Sequence, residues 1–319
     1  MYKLDLKNIK IIECLIEDCR QSIVSISKKV GLSRESVITR LKKLEKENII
    51  TGYTCEINFN KLGFNAYSIS IKLQNITIDE INKIIEKLIN MTKLVFLEKT
   101  LSKYDLVGTL IVQTKYELET ELNLIRTFLG THLRFIDIDI FLGEYDFLNS
   151  LFSKKSKPFT ELNFFDKNIA TLDKQDKKII KILTENSRQS IIEIATQMDL
   201  SVFSIAKRIK KLYNNNIIIA FRPIINFEKL NLHRYTLILN FSDQKNEKSL
   251  IEYCRQQENI WSIGKFIGNY NFAVELFAEN NESFKESVLN LVGKFSKSII
   301  EYETLIVLKE LKHNYFFLN

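Results

Sequence analysis

A cluster of cationic and hydroxyl side chains occurs once in each half of this 319-residue chain, at spacings that place its members on one side of a helix. In the first half, Val37, Leu41 and Leu44 recur at i, i+4 and i+7 and mark the buried side. The other side carries groups that donate charge-assisted hydrogen bonds to phosphates or pair with base edges. These candidate nucleic-acid contacts are Ser33, Arg34, Glu35, Ser36, Thr39, Arg40, Lys42 and Lys43, and, in the second half, Ser201, Val202, Phe203, Ser204, Lys207, Arg208, Lys210 and Lys211.

The position of the charge supports this interpretation. The chain carries 46 Lys and Arg against 39 Asp and Glu, and its formal charge of +7 is too dilute to imply a partner by itself. Positive charges are in excess by four over residues 1–62 and by five over residues 171–230, whereas residues 63–148 and 231–319 are net acidic. A solvated basic face would give the same pattern on one isolated helix. Charge concentrated around two candidate helices is instead what phosphate neutralisation requires.

Other kinds of chemistry find little support in the sequence. Cys14, Cys19, Cys55 and Cys254 show no C-x-x-C spacing and the three His residues are scattered, so neither a zinc site nor a disulfide framework is expected. Because the chain also has no Gly-rich phosphate loop and no nucleophile beside a plausible base, we predict no catalytic residue, metal or cofactor. A charged start and the lack of about 18 successive apolar residues predict a soluble, cytoplasmic protein.

The two clusters occur because the chain repeats itself. Shifting the sequence by 168 positions aligns residues 4–62 with residues 172–230 without a gap. The string Arg-Gln-Ser-Ile at 20–23, for example, returns at 188–191. Beyond residue 62 the match weakens but keeps its order at an offset of 166. The chain is therefore two copies of one unit of roughly 160 residues, which is too few repeats for a solenoid and is typical of a fused dimer.

Each copy begins with the pattern of three helices. Gly31 suits the turn after the second helix, and Ser33 can cap the third. Helices joined by so short a Gly-containing turn form a helix-turn-helix. In the first copy the predicted helices lie at about 4–16, 22–30 and 33–48, and two short strands at 49–53 and 56–59 are expected to form a wing.

The remainder of each copy changes period. Tyr67, Ile69 and Ile71 alternate as in a half-buried strand, and the segments that follow give the order β-α-β-β-α-β of a ferredoxin-like fold. Two helices cover one face of such a sheet, and an apolar open face needs a partner sheet. The last strand of the first copy is expected around 136–140, and that of the second around 299–308.

The predicted fold class is α+β, with each domain type present twice. A polar, basic segment containing Pro158 reads as the linker between the copies. The predicted domains are a winged helix-turn-helix at 1–62, a ferredoxin-like domain at 63–148, a linker at 149–170, a second winged helix-turn-helix at 171–230 and a second ferredoxin-like domain at 231–319.

A family resemblance covers almost the entire chain, twice, and is strongest over the helix-turn-helix segments. In the first copy it is carried by Leu4-Asp5, Ile11-Ile12, Leu15, 18–22, Val30-Gly31-Leu32-Ser33, Val37, Arg40, Leu44-Glu45, 49–53 and Leu62-Gly63. This combination resembles the Lrp/AsnC family of leucine-responsive, or feast/famine, transcription regulators. The resemblance implies a winged helix-turn-helix that binds double-stranded DNA, and a ferredoxin-like domain that forms homo-oligomers through its sheets and in many members binds an amino acid.

The resemblance also implies a place for that small-molecule effector. Family members often carry G-x-[FY]-D-[FY] between the second and third strands of the sheet. The matching positions are Ser102, Tyr104 and Asp105 in the first copy and Gly268, Tyr270 and Asn271 in the second. The first copy lacks the Gly, and the second lacks the carboxylate that would pair with an amino group. These positions therefore have two interpretations: a site for an amino acid or another metabolite, and a plain β-turn.

The second copy departs from the first on the DNA side. Arg34 and Glu35 are replaced by Val202 and Phe203. Arg can pair with guanine and Glu with cytosine, whereas Val and Phe can only contact a thymine methyl group or act as a wedge. We therefore expect the second copy to read a different, more A·T-tolerant half-site, or to contact the DNA backbone alone.

Together these features predict a sequence-specific DNA-binding transcription regulator, a fused pseudo-dimer with two non-identical recognition helices. One alternative is an enzyme, because tandem units of this shape also occur in siroheme decarboxylases, which use His and Arg near the second and third strands. The matching stretches here, 96–106 and 262–272, contain neither residue type. The other alternative is an assembly module that no longer binds DNA.

Overall fold

The computed structural model describes residues 4–147, 152, 160–163, 169–242, 246–314 and 316. It forms two compact units, and each unit combines equivalent segments of both copies. The first comprises Met1–Leu62 with Lys167–Leu232, and the second comprises Gly63–Asp166 with His233–Phe317. Most of the predicted linker, 149–170, lies outside the described residues. None of the helices in the described part is long and apolar enough to cross a membrane.

Within the described residues both copies follow the same order of elements, and the first has one additional short strand at its end. The first has α1 (Leu6–Glu17), α2 (Ile23–Val30), α3 (Arg34–Lys46), β1 (Ile50–Ile57), β2 (Asn65–Leu73), α4 (Ile78–Ile89), β3 (Leu94–Leu101), β4 (Leu106–Val112), α5 (Lys115–Leu129), β5 (Leu133–Asp146) and the short β6 (Thr160–Asn163). The second has α6 (Lys174–Glu185), α7 (Ile191–Met198), α8 (Val202–Asn214), β7 (Ile218–Ile225), β8 (His233–Phe241), α9 (Glu247–Gln256), β9 (Ile260–Ile267), β10 (Phe272–Ala278), α10 (Asn281–Lys294) and β11 (Ile299–His313).

Local sequence sets the boundaries of the helix-turn-helix elements. The Ser33 side chain accepts a hydrogen bond from the Ser36 N–H and caps α3. Gly31 adopts a left-handed conformation with φ of 69°, which lets the chain turn sharply between α2 and α3. In the second copy Asp199 takes this conformation, with φ of 53°. The short turn expected from the sequence is therefore present twice.

The wing predicted from the sequence is wrong in its form. The segments 49–53 and 56–59 do not form a hairpin in the described structure, because most of their length belongs to one continuous strand, β1. This strand pairs antiparallel with β7 of the second copy, and the register places Tyr53 opposite Pro223. Backbone groups that a hairpin would have paired locally find partners in the equivalent strand of the other copy, so no tight turn is needed.

The second unit is a closed double sheet. Each copy contributes four strands in the ferredoxin-like order, β5-β2-β4-β3 and β11-β8-β10-β9. β3 pairs with β11 and β5 pairs with β9, so the edges of the two sheets join and the pairing closes on itself. The partner sheet expected for each open face is thus supplied by the same chain. A second chain is not needed to cover these faces.

The strands that join the two sheets are longer than predicted. β5 extends from Leu133 to Asp146, with its first part paired to β2 and its last part paired to β9. β6, which falls within the predicted linker, pairs with the last four residues of β5. The alternation of apolar residues marks only the part of a strand that faces its own helices. The extension depends on pairing with the other copy, which no local pattern records.

Apolar side chains fill the space between each sheet and its two helices. In the first copy Ile69 and Leu110 of the sheet pack with Ile84 and Ile125 of the helices, and the second copy has an equivalent core. The inner faces of the two sheets meet at a smaller cluster that consists of Tyr104, Ile238, Tyr270 and Leu305. Burial of these surfaces is the main stabilising contribution to such a unit.

A charged cluster lies where β3 meets β11. Glu98 and Glu310 are opposite each other in the two strands, and Arg234 donates hydrogen bonds to both carboxylates. Only 4% of Glu98 is exposed, and this burial raises its pKa to about 7 despite the attraction of Arg234. The other seam, between β5 and β9, places Gly264 opposite Glu144. The position of Glu98 is thus occupied by a glycine at the second seam.

Candidate nucleic-acid interface

α3 turns most of the predicted contact residues toward solvent. Val37, Leu41 and Leu44 are buried and hold the helix against α1 and α2. Of the predicted contacts, Ser33, Arg34, Glu35, Thr39, Lys42 and Lys43 are exposed, whereas Ser36 and Arg40 are half-buried. Ile38 is 40% exposed among them and is not one of the predicted contacts, because an apolar side chain carries no sequence signal of a contact with phosphate or base edges.

α8 has the same arrangement with a different chemical surface. Ile205, Ile209 and Leu212 are buried. The predicted contacts Ser201, Val202, Phe203, Lys207, Lys210 and Lys211 are exposed, and Ser204 and Arg208 are half-buried. Phe203 is 78% exposed and Val202 is 47% exposed. The first turn of α8 thus offers a large apolar side chain to solvent at the place where α3 offers Arg34 and Glu35.

Arg40 is not a free cation on this surface. Its Nη1 donates to Asp5 Oδ2 at 2.6 Å and to Asn8 Oδ1 at 2.8 Å, and 30% of the Arg40 side chain is exposed. Asp5 is also the N-cap of α1, where its other carboxylate oxygen accepts the Asn8 N–H at 2.7 Å. The hydrogen bond from Arg40 lowers the pKa of Asp5. Arg40 therefore ties the recognition helix to the start of α1.

The second copy repeats this arrangement, which we call the arginine clasp, with one change of charge. Arg208 Nη1 donates to Asp173 Oδ2 at 2.7 Å and to Asp176 Oδ1 at 2.6 Å. Asp173 caps α6 as Asp5 caps α1. The hydrogen bonds that Arg208 donates to both carboxylates raise its pKa. The second clasp therefore contains two carboxylates, and the first contains one carboxylate and the neutral amide of Asn8.

An open groove of about 430 Å³ lies between the first clasp and the recognition helix. It is lined by Asp5, Asn8, Ser36, Thr39, Arg40 and Lys43. The clasp partners on α1 and α6 were not among the predicted contacts. Their signal was present in the sequence, because Leu-Asp recurs at 4–5 and 172–173. The recurrence helped to define the repeat, but spacing along one helix does not reveal a partner on another.

The contacts that join the two helix-turn-helix segments are related by a pseudo-twofold axis. Arg20 donates to the carbonyl oxygen of Ser187, and Arg188 donates to that of Cys19 at 3.0 Å. Cys19 and Ser187 are equivalent positions in the two copies, and their Sγ and Oγ atoms lie 3.0 Å apart. Burial raises the pKa of the Cys19 thiol to about 11. Together with the β1–β7 pairing, these contacts hold the two segments at a fixed separation.

The residues predicted to bind an effector lie in the double-sheet unit. Several of them are already engaged by other side chains of that unit. Tyr104 is fully buried, and its hydroxyl donates to Asp137 Oδ2 at 2.7 Å. Lys103 Nζ donates to the Tyr270 hydroxyl at 2.6 Å. Burial and the hydrogen bond to Asp137 together raise the pKa of Tyr104 far above its usual value. The two tyrosines are thus part of the contact between the inner faces of the sheets.

The other predicted effector residues contact backbone in the turns. Asp105 accepts the Leu73 N–H at 2.7 Å, and Asn271 both accepts the Phe241 N–H at 2.8 Å and donates to its carbonyl oxygen at 2.6 Å. Ser102 and Gly268 precede these turns with positive φ values of 146° and 157°. The motif positions therefore hold the same turn in both copies, and the replacement of Asp by Asn preserves that hydrogen-bonding role. In the described part of the chain no group of three or more His, Cys, Asp or Glu side chains is arranged to hold a metal ion.

Paired helix-turn-helix segments and a double ferredoxin-like sheet define the class of protein, and comparisons with known proteins identify the family. A model of the AsnC-type helix-turn-helix domain matches residues 4–45, and one described as winged helix-turn-helix DNA-binding matches residues 172–219. A helix-turn-helix-type transcriptional regulator of Pyrococcus abyssi is 31% identical over 123 residues, which are 38% of this chain and 78% of that protein. The chain belongs to the Lrp/AsnC family.

Further relatives match over shorter segments. A proline dehydrogenase transcriptional activator of Rhizobium radiobacter is 37% identical over 89 residues, and a helix-turn-helix-type regulator of Pyrococcus furiosus is 40% identical over 79 residues. These segments are 27% and 24% of this chain, respectively. The chain spans just over half the length of these two relatives, 57% and 53%.

One solved structure shares the fold over nearly the full length. A siroheme decarboxylase superposes with a TM-score of 0.67, covering 97% of this chain and 93% of its own. The sequences are 12% identical. At this level of identity the match shows that the two proteins share a fold.

Proposed function

We propose that this chain is a sequence-specific DNA-binding transcription regulator that acts as a fused pseudo-dimer. The observation that carries the proposal is the presence of two exposed basic recognition helices, α3 and α8, on segments joined through β1 and β7. Paired recognition helices of this type read half-sites about one helical turn, roughly 34–36 Å, apart in successive major grooves. A single chain therefore supplies what two identical subunits supply in a homodimer.

The test of this proposal is recovery of bound DNA across the genome, with and without a panel of amino acids. Reproducible fragments that share a bipartite site are the expected result. A chain that retains no fragment above background would overturn the proposal and favour a role in assembly alone.

The two half-sites are proposed to differ in sequence. Arg34 and Glu35 can pair with guanine and cytosine, whereas Val202 and Phe203 offer only apolar contact. Binding-site selection should therefore give one specified half and one A·T-tolerant half, and the double variant Val202→Arg/Phe203→Glu should make the two halves more alike. Selection of a perfect palindrome by the unaltered chain would contradict this part of the proposal.

The proposal also includes control of the regulator by an amino acid or another small metabolite. A ligand at the motif positions has to displace existing partners, such as Asp137 from Tyr104 or the Leu73 N–H from Asp105. Binding of this kind would change the arrangement of the inner sheet faces. Thermal unfolding in the presence of each amino acid measures it, since a ligand of the folded state raises the midpoint. Unchanged midpoints with the whole panel would argue against an effector at these positions.

A tetrapyrrole enzyme is the second candidate, because the whole-chain fold match is to a siroheme decarboxylase. The stretches 96–106 and 262–272 lack His and Arg, and Tyr104 and Tyr270 occupy the space between the sheets there. Titration with siroheme, followed by absorbance, distinguishes the two functions. Saturable binding with release of carbon dioxide would favour the enzyme over the regulator.

A further inference from the structure

The arginine clasps differ at one position in an otherwise repeated arrangement. Asn8 and Asp176 occupy equivalent places in α1 and α6, both are buried, and each accepts a hydrogen bond from the arginine of its recognition helix. The capping aspartates, Asp5 and Asp173, are common to both clasps. At neutral pH the side chains of the first clasp sum to zero charge, whereas those of the second sum to −1.

We infer that the side chain at position 8 or 176 sets how strongly the arginine of the same clasp attracts DNA phosphate. This inference rests on the proposed function and names a residue that tunes it. Arg40 and Arg208 keep 30% and 26% of their side chains exposed, so both can still meet a phosphate from outside the clasp. A phosphate beside Arg208 encounters one more negative charge than a phosphate beside Arg40.

The surroundings of the first clasp support a phosphate contact there. The groove beside Arg40 is lined by the hydroxyls of Ser36 and Thr39 and by Lys43, all on the recognition helix. Cationic and hydroxyl groups on one helix surface are those that protein–DNA interfaces use for backbone contacts. Any carboxylate added at position 8 would lie at the edge of this groove.

Exchanging the two side chains tests the inference with little risk to the fold. Asn8→Asp and Asp176→Asn each create at one clasp the arrangement that the other clasp already has. One unit charge about 7 Å from a phosphate at a solvent-exposed surface changes the binding constant by roughly 3- to 10-fold. We therefore expect Asn8→Asp to weaken binding to a recovered DNA fragment by that factor and Asp176→Asn to strengthen it. The dependence of affinity on salt should become shallower in Asn8→Asp and steeper in Asp176→Asn.

Stability supplies a readout that separates this role from a merely structural one. A carboxylate in the first turn of a helix interacts favourably with the helix dipole. Asn8→Asp should therefore leave the midpoint of thermal unfolding unchanged or raise it, and Asp176→Asn should leave it unchanged or lower it. DNA affinity is expected to move in the opposite direction. If affinity and stability fall together in Asn8→Asp, the clasp is structural only and the inference is overturned.

Matched controls distinguish a local effect from one of net charge. Asn290→Asp on α10 and Asp79→Asn on α4 make the same chemical changes at exposed positions of the double-sheet unit. Both should bind DNA as the unaltered chain does, and effects as large as those at the clasps would overturn the inference. An unaltered chain that binds no DNA refutes the proposed function. Normal DNA binding by the unaltered chain and by both clasp variants refutes the inference alone.

Discussion

Removing two lysines from the second recognition helix gives the most direct test of DNA binding. Lys210 and Lys211 are exposed on α8, and within the described part of the chain neither forms an ion pair. Their charges are therefore available to phosphates. Replacing both with Ala removes no buried contact, and Ala is the best helix former, so the helix itself should persist.

The expected magnitude follows from counterion release. Each phosphate contact adds about 0.9 to the slope of log affinity against log salt concentration, so loss of two contacts should lower the slope by about 1.8. Between about 50 and 200 mM salt, the affinity of the unaltered chain should fall roughly 12-fold more than that of Lys210→Ala/Lys211→Ala. Fluorescence anisotropy with one labelled fragment, measured at four or more salt concentrations, gives both slopes.

A second double variant separates position from net charge. Lys248→Ala/Lys285→Ala removes two exposed lysines from α9 and α10 of the double-sheet unit. Its salt slope should equal that of the unaltered chain. Equal flattening by both double variants would mean that overall charge governs binding, and an unchanged slope in Lys210→Ala/Lys211→Ala would remove α8 from the interface.

Two further predictions concern how the copies are joined. Ser187→Cys places a second thiol against Cys19, so mild oxidation should form a disulfide that raises the unfolding midpoint. For so long a loop the upper limit of this stabilisation is about 5 kcal/mol. Failure to form the disulfide would contradict the close approach of these groups. Glu98 has a pKa of about 7 when folded, above its unfolded value, so it binds a proton more tightly in the folded state and its contribution to stability should fall as pH rises from about 4.5 to 7. In Glu98→Gln, denaturant unfolding at pH 5 and 7.5 should show that this decline is lost, and an undiminished decline would assign it to other groups.

The elements within each copy could be predicted because their signals are local. Ser33 as a cap and Gly31 as a turn residue fix the helix-turn-helix, and both residues have these roles in the structure. Helix periodicity and capping depend on residues a few positions apart. The sequence also identified the exposed side of each recognition helix, since buried apolar residues repeat at regular spacing.

Features that depend on the other copy could not be predicted in this way. The sequence predicts a wing where β1 forms, because the partner of β1, β7, lies about 168 residues away. The same cause explains the underestimated lengths of β5 and β11, whose final residues pair with strands of the other copy. Arg40 was expected to be a free phosphate contact, because nothing in the period of α3 reveals Asp5 on another helix. Local patterns therefore predict elements well and predict the contacts between copies poorly.

Fusion of two copies in one chain allows differences that a homodimer cannot have. In a homodimer every substitution appears on both sides of the axis, so a carboxylate such as Glu98 would be buried at both seams and its desolvation cost would be incurred twice. Here the equivalent of Glu98 is Gly264, so the second seam has no carboxylate at this position. The same freedom applies at Asn8 and Asp176, where the two arginine clasps differ by one charge. Divergence after fusion is therefore the physical route by which equivalent positions of the two copies can acquire different side chains within one repeated framework.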